Sequence, residues 1–337
     1  MSTPWRLDWS HGSLYVEPVG AMLGPVEFRL DDGRVVQPFD VFPWADEPAA
    51  PGSEPITGLL ARARGDWPCL PFGYVFPRDQ LAPAWLPYYS EADEGPAHGH
   101  CANEPWTLVE HGPARIVCTF DNPPDAPIAR LTRIIEPVPG AAAIRCELVI
   151  EARRACRMPL GLHPTLKLPA EPGAFEIRPG RFAFGRTFAG LFEPGASRLA
   201  VDAVFERLDA VPDVDGGTLD LTRLPLPRPS EDLLQLCGVD GEVEVLDHAA
   251  RYRLRLSWDG DAIPGLVLWI SNGGRGYYPW NGRHYGLGVE PVAAAYNLGV
   301  AVSNADNPIA QAGVATTVAF DPATPWRTEY RFAVAGL

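Results

Sequence analysis

The chain has 337 residues, of which 46% are hydrophobic, and it carries a formal net charge of −14. This hydrophobic fraction, which includes 34 aromatic residues, is enough for a large core and argues against a disordered chain. The negative charge argues against nucleic acids and anionic membrane surfaces as partners, because both need a basic protein face. A neutral small molecule is the natural partner.

No apolar run reaches the ~18 residues that a membrane-spanning helix needs. The first ten residues contain no apolar run after a basic start, so we expect no signal peptide and a cytoplasmic protein. None of the six cysteines forms a Cys-x-x-Cys pair, which favours reduced and partly buried thiols.

Short apolar or alternating segments bounded by turn residues recur along the chain and predict β-strands. They are Leu14–Val19, Val26–Leu30, Arg115–Phe120, Ile144–Ile150, Ala250–Trp258 and Thr328–Val334. Gly265–Ile270 is apolar throughout, which predicts a strand covered on both faces. Asp-Gly turn signals end at Gly33, Gly241 and Gly260.

Signals for helices are few, and Ile56–Arg64 is the clearest, with room for two turns. The most linker-like stretch is Leu221–Ser230, in which leucines alternate with prolines, and we interpret it as a packed extended crossover. The chain has no tandem repeat and no clean linker. We therefore predict one domain over residues 1–337, an all-β fold in the form of a large antiparallel β-sandwich with little helix.

Glu290 is the most informative candidate for chemistry, since no residue of opposite charge occurs from Leu287 to Leu298. A carboxylate between a valine and a proline is partly desolvated, which raises its pKa toward that of a useful base. The preceding segment, Gly276–Gly288, is rich in aromatic residues, and Trp280 within it could form a flat platform for a sugar. The alternative is an exposed glutamate in a turn.

Three histidines are further candidates. His163 lies in the apolar segment Met158–Pro169, and a buried imidazole is costly unless it is hydrogen-bonded, so it is either a satisfied core residue or a functional one. His98 and His100 flank a glycine in a polar loop. Their spacing also permits metal binding, but the sequence places no further ligand, and we expect no metal.

Four segments resemble, in this order, those of the aldose 1-epimerases (galactose mutarotase-like proteins). Gly65-Asp-Trp-Pro-Cys-Leu-Pro-Phe-Gly73 is similar to the family's Gly-Gly-x-Pro-x-Leu-Phe-Pro. His98-Gly-His-Cys-Ala-Asn-Glu-Pro-Trp106 resembles His-Gly-Phe-Ala-Arg-Asn-x-Pro-Trp, found mostly in the hexose-6-phosphate branch. His163-Pro resembles His-Pro-Tyr-Phe-x-Leu, and Val289-Glu-Pro291 with Tyr296-Asn297 resembles Leu-Glu-Pro-Gln…Pro-Asp-Ala-x-Asn.

This resemblance covers about residues 15 to 335 and implies an isomerase on a β-sandwich. It implies that Glu290 is the general base on the anomeric hydroxyl, that His163 is the acid on the ring oxygen, and that His98 holds the sugar or helps to protonate it. Opening of the ring to the aldehyde, rotation about C1–C2 and reclosure then exchange the α and β anomers. The carbonyl is internal to the substrate, so we expect no cofactor.

The sequence departs from the family's pattern at several positions. Ala102 replaces the arginine of the phosphohexose-type segment, and His100 replaces its phenylalanine. Because a guanidinium forks well onto phosphate, its loss favours an unphosphorylated sugar. The family's Asn-Arg-Ile is absent, and Arg78 is the candidate substitute. The family's Tyr, Phe and Gln are replaced by Thr165, Leu166 and Val292.

We therefore predict that the residues binding the sugar are Asp232, Trp280, His100, Asn103 and Arg78. Asp232 lies where the family often has a sugar-binding aspartate, and a solvated turn acid is the alternative.

Two other functions remain open from the sequence. One is a non-catalytic carbohydrate-binding protein on the same fold, which would have no need of the three acid–base residues. The other is a glycoside hydrolase or lyase, which requires two carboxylates across the scissile bond, and Glu290 has no obvious acidic partner. In each case the expected partner is a small sugar, and the protein is expected to be a monomer or a homodimer.

Overall fold

The computed structural model describes residues 3–48, 52–92 and 94–337. Strands make up 44% of it and helices 8%, and all paired strands of the sheets are antiparallel. The prediction of an all-β fold with little helix is therefore confirmed, whereas the number of domains stays a prediction.

The larger sheet has nine strands, which follow from the alternating segments of the sequence. In spatial order they are Arg223–Leu224, Phe175–Pro179, Glu242–Asp247, Tyr252–Trp258, Trp326–Gly336, Ala143–Ala152, Ile128–Pro137, Ile116–Asp121 and Thr107–His111. Their burial also alternates, as Tyr252–Trp258 illustrates, with apolar residues inward and arginines outward.

The second sheet has eight strands and carries the candidate chemistry. In spatial order they are Val204–Phe205, Phe184–Thr187, Ser230–Cys237, Gly265–Asn272, Tyr285–Ala293, Leu160–Leu162 and Pro68–Cys69, with Thr165–Lys167 also paired to Tyr285–Ala293. Ser230–Cys237 and Gly265–Asn272 are buried at every position. The prediction that Gly265–Ile270 is covered on both faces is therefore confirmed.

The remaining elements are short. A four-stranded sheet consists of Trp5–Trp9, Gly12–Glu17, Met22–Arg29 and Val35–Val36, and two-stranded pairs join Cys156–Met158 to Val318–Phe320 and Val211–Pro212 to Thr218–Leu219. The α-helices are Gly58–Arg62, His100–Asn103, Gly299–Asn304 and Pro308–Gln311, and the 3₁₀-helices are Arg78–Gln80 and Leu86–Tyr88. No helix of the described residues is long and apolar enough to cross a membrane.

Two apolar clusters cover the two faces of the eight-stranded sheet. On one face, Leu266 and Leu268 pack into the core shared with the nine-stranded sheet. On the other face, Val267 and Trp269 pack against long loops. Side chains alternate between the faces of a strand, so the strands Ser230–Cys237, Gly265–Asn272 and Tyr285–Ala293 contribute to both clusters. The loop-covered face is the one that can enclose a small molecule.

The predicted crossover is packed as expected. Leu221 and Leu224 are fully buried, and Arg223–Leu224 pairs with Phe175–Glu176 at the edge of the nine-stranded sheet. The predicted helix over Ile56–Arg64 forms over Gly58–Arg62.

A buried ion pair joins the nine-stranded sheet to the segment that precedes the strand Pro68–Cys69. Arg133 of the nine-stranded sheet donates to the Asp66 carboxylate, and Tyr330 Oη donates to the same carboxylate oxygen over 2.8 Å. Arg133 Nη1 also donates to the backbone oxygen of Asp66 over 3.0 Å. Asp66 precedes Trp67, whose carbonyl accepts a hydrogen bond from the His163 N–H over 2.9 Å. The ion pair therefore supports the segment that holds Trp67 and His163.

We predict that Asp66→Asn lowers the free energy of unfolding by about 3 kcal/mol or more, because it leaves the Arg133 guanidinium buried without a counter-charge. The matched control is Asp121→Asn, which breaks an exposed pair with Arg130 and should cost less than about 1 kcal/mol. Urea unfolding followed by circular dichroism measures both values. Equal costs for the two variants would contradict the role assigned to the buried pair.

Candidate active site

Glu290 lies near the C-terminal end of Tyr285–Ala293 and pairs in register with Val267. Because Val267 belongs to the loop-covered face, Glu290 points to that face, while its neighbour Val289 packs into the core between the sheets. The Glu290 side chain is almost completely buried. Gly288 leaves the space that its carboxylate needs, since a Cβ atom on Gly288 would lie 2.1 Å from Glu290 Oε1.

His163 follows the short strand Leu160–Leu162 and is buried beside Glu290. Its Nε2 atom lies 3.5 Å from Glu290 Oε1. The imidazole stacks on the Trp67 indole with 4.2 Å between ring centroids and an interplanar angle of 19°. Nδ1 lies 3.4 Å from the Thr165 hydroxyl. These contacts hold the ring with Nε2 directed at the carboxylate.

His98 approaches from a loop on the other side of His163. It adopts a left-handed backbone with φ 62°, and its N–H donates to the Gly73 carbonyl over 2.8 Å. The Gly73 N–H donates in return to His98 Nδ1 over 3.4 Å, which leaves the proton of a neutral imidazole on Nε2. The His98 and His163 rings meet edge to face with 5.1 Å between centroids.

Glu290, His163 and His98 line one cavity of about 310 Å³. Its walls are mostly aromatic and aliphatic, with few polar groups, which is typical of a small-molecule site. The other lining residues are Phe42, Thr57, Leu59, Leu60, Ala63, Trp67, Tyr74, Ala97, Asn103, Phe192, Leu233, Trp269, Arg275, Trp280 and Asn297.

Two of the five predicted sugar-binding residues line this cavity. Trp280 forms part of its aromatic wall, next to Trp44 and Trp269. Asn103 also lines it, but its side chain is occupied locally, since Nδ2 donates to Ala97 and Gly99 carbonyls and Oδ1 accepts from the Leu59 N–H. Asn103 therefore ties the loop of His98 to the helix Gly58–Arg62.

Asp232 requires a correction, because it does not line the cavity. It lies within the strand Ser230–Cys237, where residues alternate between the faces, and Leu233 is the residue that reaches the cavity. Asp232 Oδ1 instead accepts hydrogen bonds from the backbone N–H groups of Arg198 and Leu199, over 2.7 and 3.1 Å. Its carboxylate thus fixes a loop.

His100 and Arg78 also lie outside the residues that line the cavity. His100 Nδ1 is 2.6 Å from Glu104 Oε1, and both side chains are largely exposed. Arg78 begins an exposed 3₁₀-helix. The side chains of His98 and His100 point to different places because a short helix, His100–Asn103, begins between them. In a strand, two residues with this spacing would have faced the same side.

Arg275 is the main feature of the cavity that sequence reasoning missed. Its guanidinium lies 4.5 Å from the Trp280 ring centroid, and Nε donates to Glu193 Oε2 over 2.9 Å. Its Nη1 atom is 3.4 Å from Oε1 of Glu231, the neighbour of Asp232. The sequence signal for Arg275 was its position between two glycines, shortly after the mostly apolar strand Gly265–Asn272. Trp67, Tyr74 and Asn297 were present in or near the segments used for the resemblance but were not proposed.

Burial controls the proton affinities in the cavity. It raises the pKa of the Glu290 carboxyl well above its usual range. Burial, together with the neighbouring His98, lowers the pKa of His163 well below the ordinary value of histidine, and burial lowers the pKa of His98 to about 4. All three directions disfavour the charged form of the group.

Comparison with solved structures identifies the fold. The chain is similar to a putative aldose 1-epimerase from Escherichia coli K12, with TM-score 0.64, 14% identity and 99% of each chain covered. It is also similar to an aldose epimerase homologue from C. elegans, with TM-score 0.64, 14% identity and 100% of each chain covered. A galactose mutarotase-like protein from Lactobacillus casei gives TM-score 0.62 and 11% identity over 98% of this chain and 100% of the other.

The chain therefore has the galactose mutarotase-like fold, as its sequence segments implied. No protein-family model and no curated protein matches the sequence.

We predict that Glu290→Gln stabilises the protein increasingly as the pH rises. An unfolded glutamate ionises near pH 4.3, whereas folded Glu290 keeps its proton to a higher pH. Between those two values the native state binds more protons than the unfolded state, so wild-type stability falls by up to about 1.4 kcal/mol per pH unit. The Glu290→Gln variant does not lose stability in this way, because the glutamine side chain does not ionise.

Urea unfolding of both proteins between about pH 5 and 8 measures the difference. A difference that is independent of pH would contradict the raised pKa of Glu290.

Proposed function

We propose that the protein is an aldose 1-epimerase, which interconverts the α and β anomers of an unphosphorylated sugar in the cavity of Glu290 and His163. The observation that carries this proposal is the distance of 3.5 Å between Glu290 Oε1 and His163 Nε2 in an aromatic-walled cavity. The anomeric oxygen and the ring oxygen are both bonded to C1, so a base and an acid must act side by side at one carbon. This pair of side chains meets that requirement.

The chemistry starts with Glu290 as carboxylate and His163 as imidazolium. Glu290 takes the proton of the C1 hydroxyl, His163 gives its proton to the ring oxygen, and the C1–O5 bond breaks to yield the aldehyde. Rotation about C1–C2 presents the other face of the carbonyl, and the reversed transfers close the ring. General acid–base transfer of this kind contributes about 10²–10⁴-fold in rate.

Burial favours the ring-opening step. The transfers convert a charged pair into an uncharged one, and both pKa shifts favour the uncharged form. The open-chain sugar is therefore bound next to the uncharged form of the pair, which burial favours. His98, which is neutral, can donate its Nε2 proton to a sugar oxygen without adding charge.

The lining residues support an unphosphorylated substrate. Among those that the structure describes, Arg275 is the only lysine or arginine, and it is already paired with Glu193 and Glu231. A phosphate would therefore find no unpaired cation there. Glu290 is likewise the only described carboxylate in the lining, which does not favour hydrolysis between two carboxylates.

A cytoplasmic location, a small sugar as partner and a monomeric or homodimeric state remain part of the proposal. The alternative is a carbohydrate-binding protein without catalysis, and kinetic measurement separates the two.

We predict that Glu290→Gln abolishes the exchange of anomers but leaves sugar binding largely intact, because the amide keeps the shape of the side chain and cannot accept the proton. His163→Asn should lower the rate with a smaller effect on affinity. His100→Asn is the matched control and should exchange at the wild-type rate, since this histidine lies outside the lining. NMR exchange spectroscopy on a panel of aldoses measures the rates, and calorimetry measures the affinities.

Two outcomes would count against the proposal. A wild-type protein that binds an aldose without speeding its exchange would favour the binding protein. Equal rates in wild type and Glu290→Gln would show that another group is the base.

A further inference from the structure

Arg275 lines the cavity and is paired with two carboxylates behind the lining, and the proposed reaction does not use this cluster of three charged side chains. Arg275 is held between Glu193, at 2.9 Å, and Glu231, at 3.4 Å. Its guanidinium also lies over the rings of Trp280, Phe192 and Trp269, at 4.5, 5.4 and 5.8 Å. These contacts hold the Arg275 guanidinium in place. When both glutamates are ionised, their two negative charges exceed the single positive charge of Arg275 by one.

Glu231 differs from Glu193 in its surroundings. Glu231 is completely buried, with Oε1 accepting from the Trp269 indole N–H over 2.6 Å and Oε2 accepting from the Ser271 hydroxyl over 3.0 Å. Glu193 lies at the partly exposed rim, where the Tyr277 hydroxyl donates to it over 3.1 Å. Burial opposes charge on Glu231 more than on Glu193.

A chain of hydrogen bonds leads from Glu231 through Ser271 to His284 and Asp40. His284 Nδ1 lies 2.7 Å from Ser271 Oγ, and His284 Nε2 lies 2.9 Å from Asp40 Oδ2. Asp40 and His284 line a separate outer groove of about 810 Å³. Glu231 can therefore exchange protons with solvent through this chain even while a sugar fills the cavity.

We propose that Glu231 determines which sugars the cavity accepts by their charge, taking neutral aldoses when it is ionised and admitting acidic aldoses, such as uronic acids, when it is protonated. With Glu231 ionised, the cluster of Arg275, Glu193 and Glu231 carries a net charge of −1 and repels a sugar carboxylate. With Glu231 protonated, Arg275 and Glu193 balance each other, and the N–H groups of the guanidinium that do not bond Glu193 can donate to an anion.

The groups that face Glu231 set the pH at which this change occurs. Burial raises its pKa to about 7, while Arg275, Trp269 and Ser271 oppose that rise and Glu193 adds to it. A raised acid pKa means that Glu231 is protonated below about pH 7 and ionised above it. Acidic sugars should therefore be accepted at mildly acidic pH and rejected at alkaline pH.

The inference rests on the proposed function, because it requires a sugar in this cavity. Its test compares two neutral aldoses, glucose and galactose, with glucuronate and galacturonate, which remain ionised from about pH 5.5 to 8.5. Calorimetry gives the ratio of the Kd of each acid to that of its neutral counterpart across this range. We expect the ratio to rise about tenfold or more through a midpoint near pH 7. A ratio is used because effects of pH that are common to both sugars cancel in it.

Three variants isolate the residue. Glu231→Gln should keep the low ratio at every pH. Ser271→Ala removes a donor to the carboxylate and should move the midpoint to higher pH. Glu193→Gln is the matched control, because it removes a negative charge from the same cluster but leaves Glu231 to titrate, so its ratio should be lower throughout and still rise with pH. Circular dichroism confirms that each variant is folded.

The outcomes separate this inference from the proposed function. A constant ratio in the wild type, or the wild-type rise in folded Glu231→Gln, would overturn the role of Glu231 while leaving the proposed reaction intact. If Glu231→Gln does not fold, an unmoved midpoint in Ser271→Ala overturns it equally. Failure of the wild type to bind any of the four sugars would count against the proposed function.

Discussion

The burial of the Glu290–His163 pair is the constraint on which the rest of the site depends. The two ionisable side chains lie 3.5 Å apart and are both nearly inaccessible to water, and burial disfavours the charged form of each. The surrounding structure keeps water away from this pair while leaving a cavity of about 310 Å³ beside it.

That enclosure follows from the two-sided burial of the eight-stranded sheet. One face packs on the nine-stranded sheet, and the other is covered by loops that carry Trp67, His98 and Trp280. Because successive residues of a strand face opposite ways, Val289 stabilises the sandwich while Glu290 enters the cavity. The same alternation separates Leu266 and Leu268 from Val267 and Trp269. The same strands therefore supply core side chains on one face and candidate site side chains on the other.

The alternation also explains how much could be predicted from the sequence. Strands with a clear period of two, such as Tyr252–Trp258, and the fully apolar Gly265–Ile270 were recognisable, and so was the fold class. Glu290, His163 and His98 could be proposed because they lie in segments with recognisable neighbours, and the structure places all three at one cavity. Ser230–Cys237 was not recognised as a strand, because it begins with three polar residues in an otherwise apolar run. Asp232 was chosen from the resemblance, and without the strand the sequence could not show that its side chain faces away from the cavity, since neighbouring residues of a strand face opposite ways.

Other contacts around the site could not be predicted, because the residues that form them are far apart in the sequence. The helix Gly299–Asn304 has a weak helical sequence, and its first N–H groups, those of Val300 and Ala301, are accepted by the carboxylate of Glu94, over 2.6 and 2.8 Å. The sequence around the helix gives no sign that Glu94 caps it. The ion pairs of Arg275 could not be predicted either, because their partners, Glu193 and Glu231, come from two other segments of the chain.

The Glu94 and Arg275 contacts join loops to a helix, to the eight-stranded sheet or to another loop, and not to the nine-stranded sheet. The Arg133–Asp66 pair differs, because it joins the nine-stranded sheet to the residue before Trp67. Most residues that line the cavity therefore come from covering segments outside the sandwich core. The acid–base pair lies at the boundary between these two regions, anchored by strands and stacked on a loop tryptophan. This explains how a cavity with an unusual lining can still hold Glu290 and His163 within reach of one carbon atom.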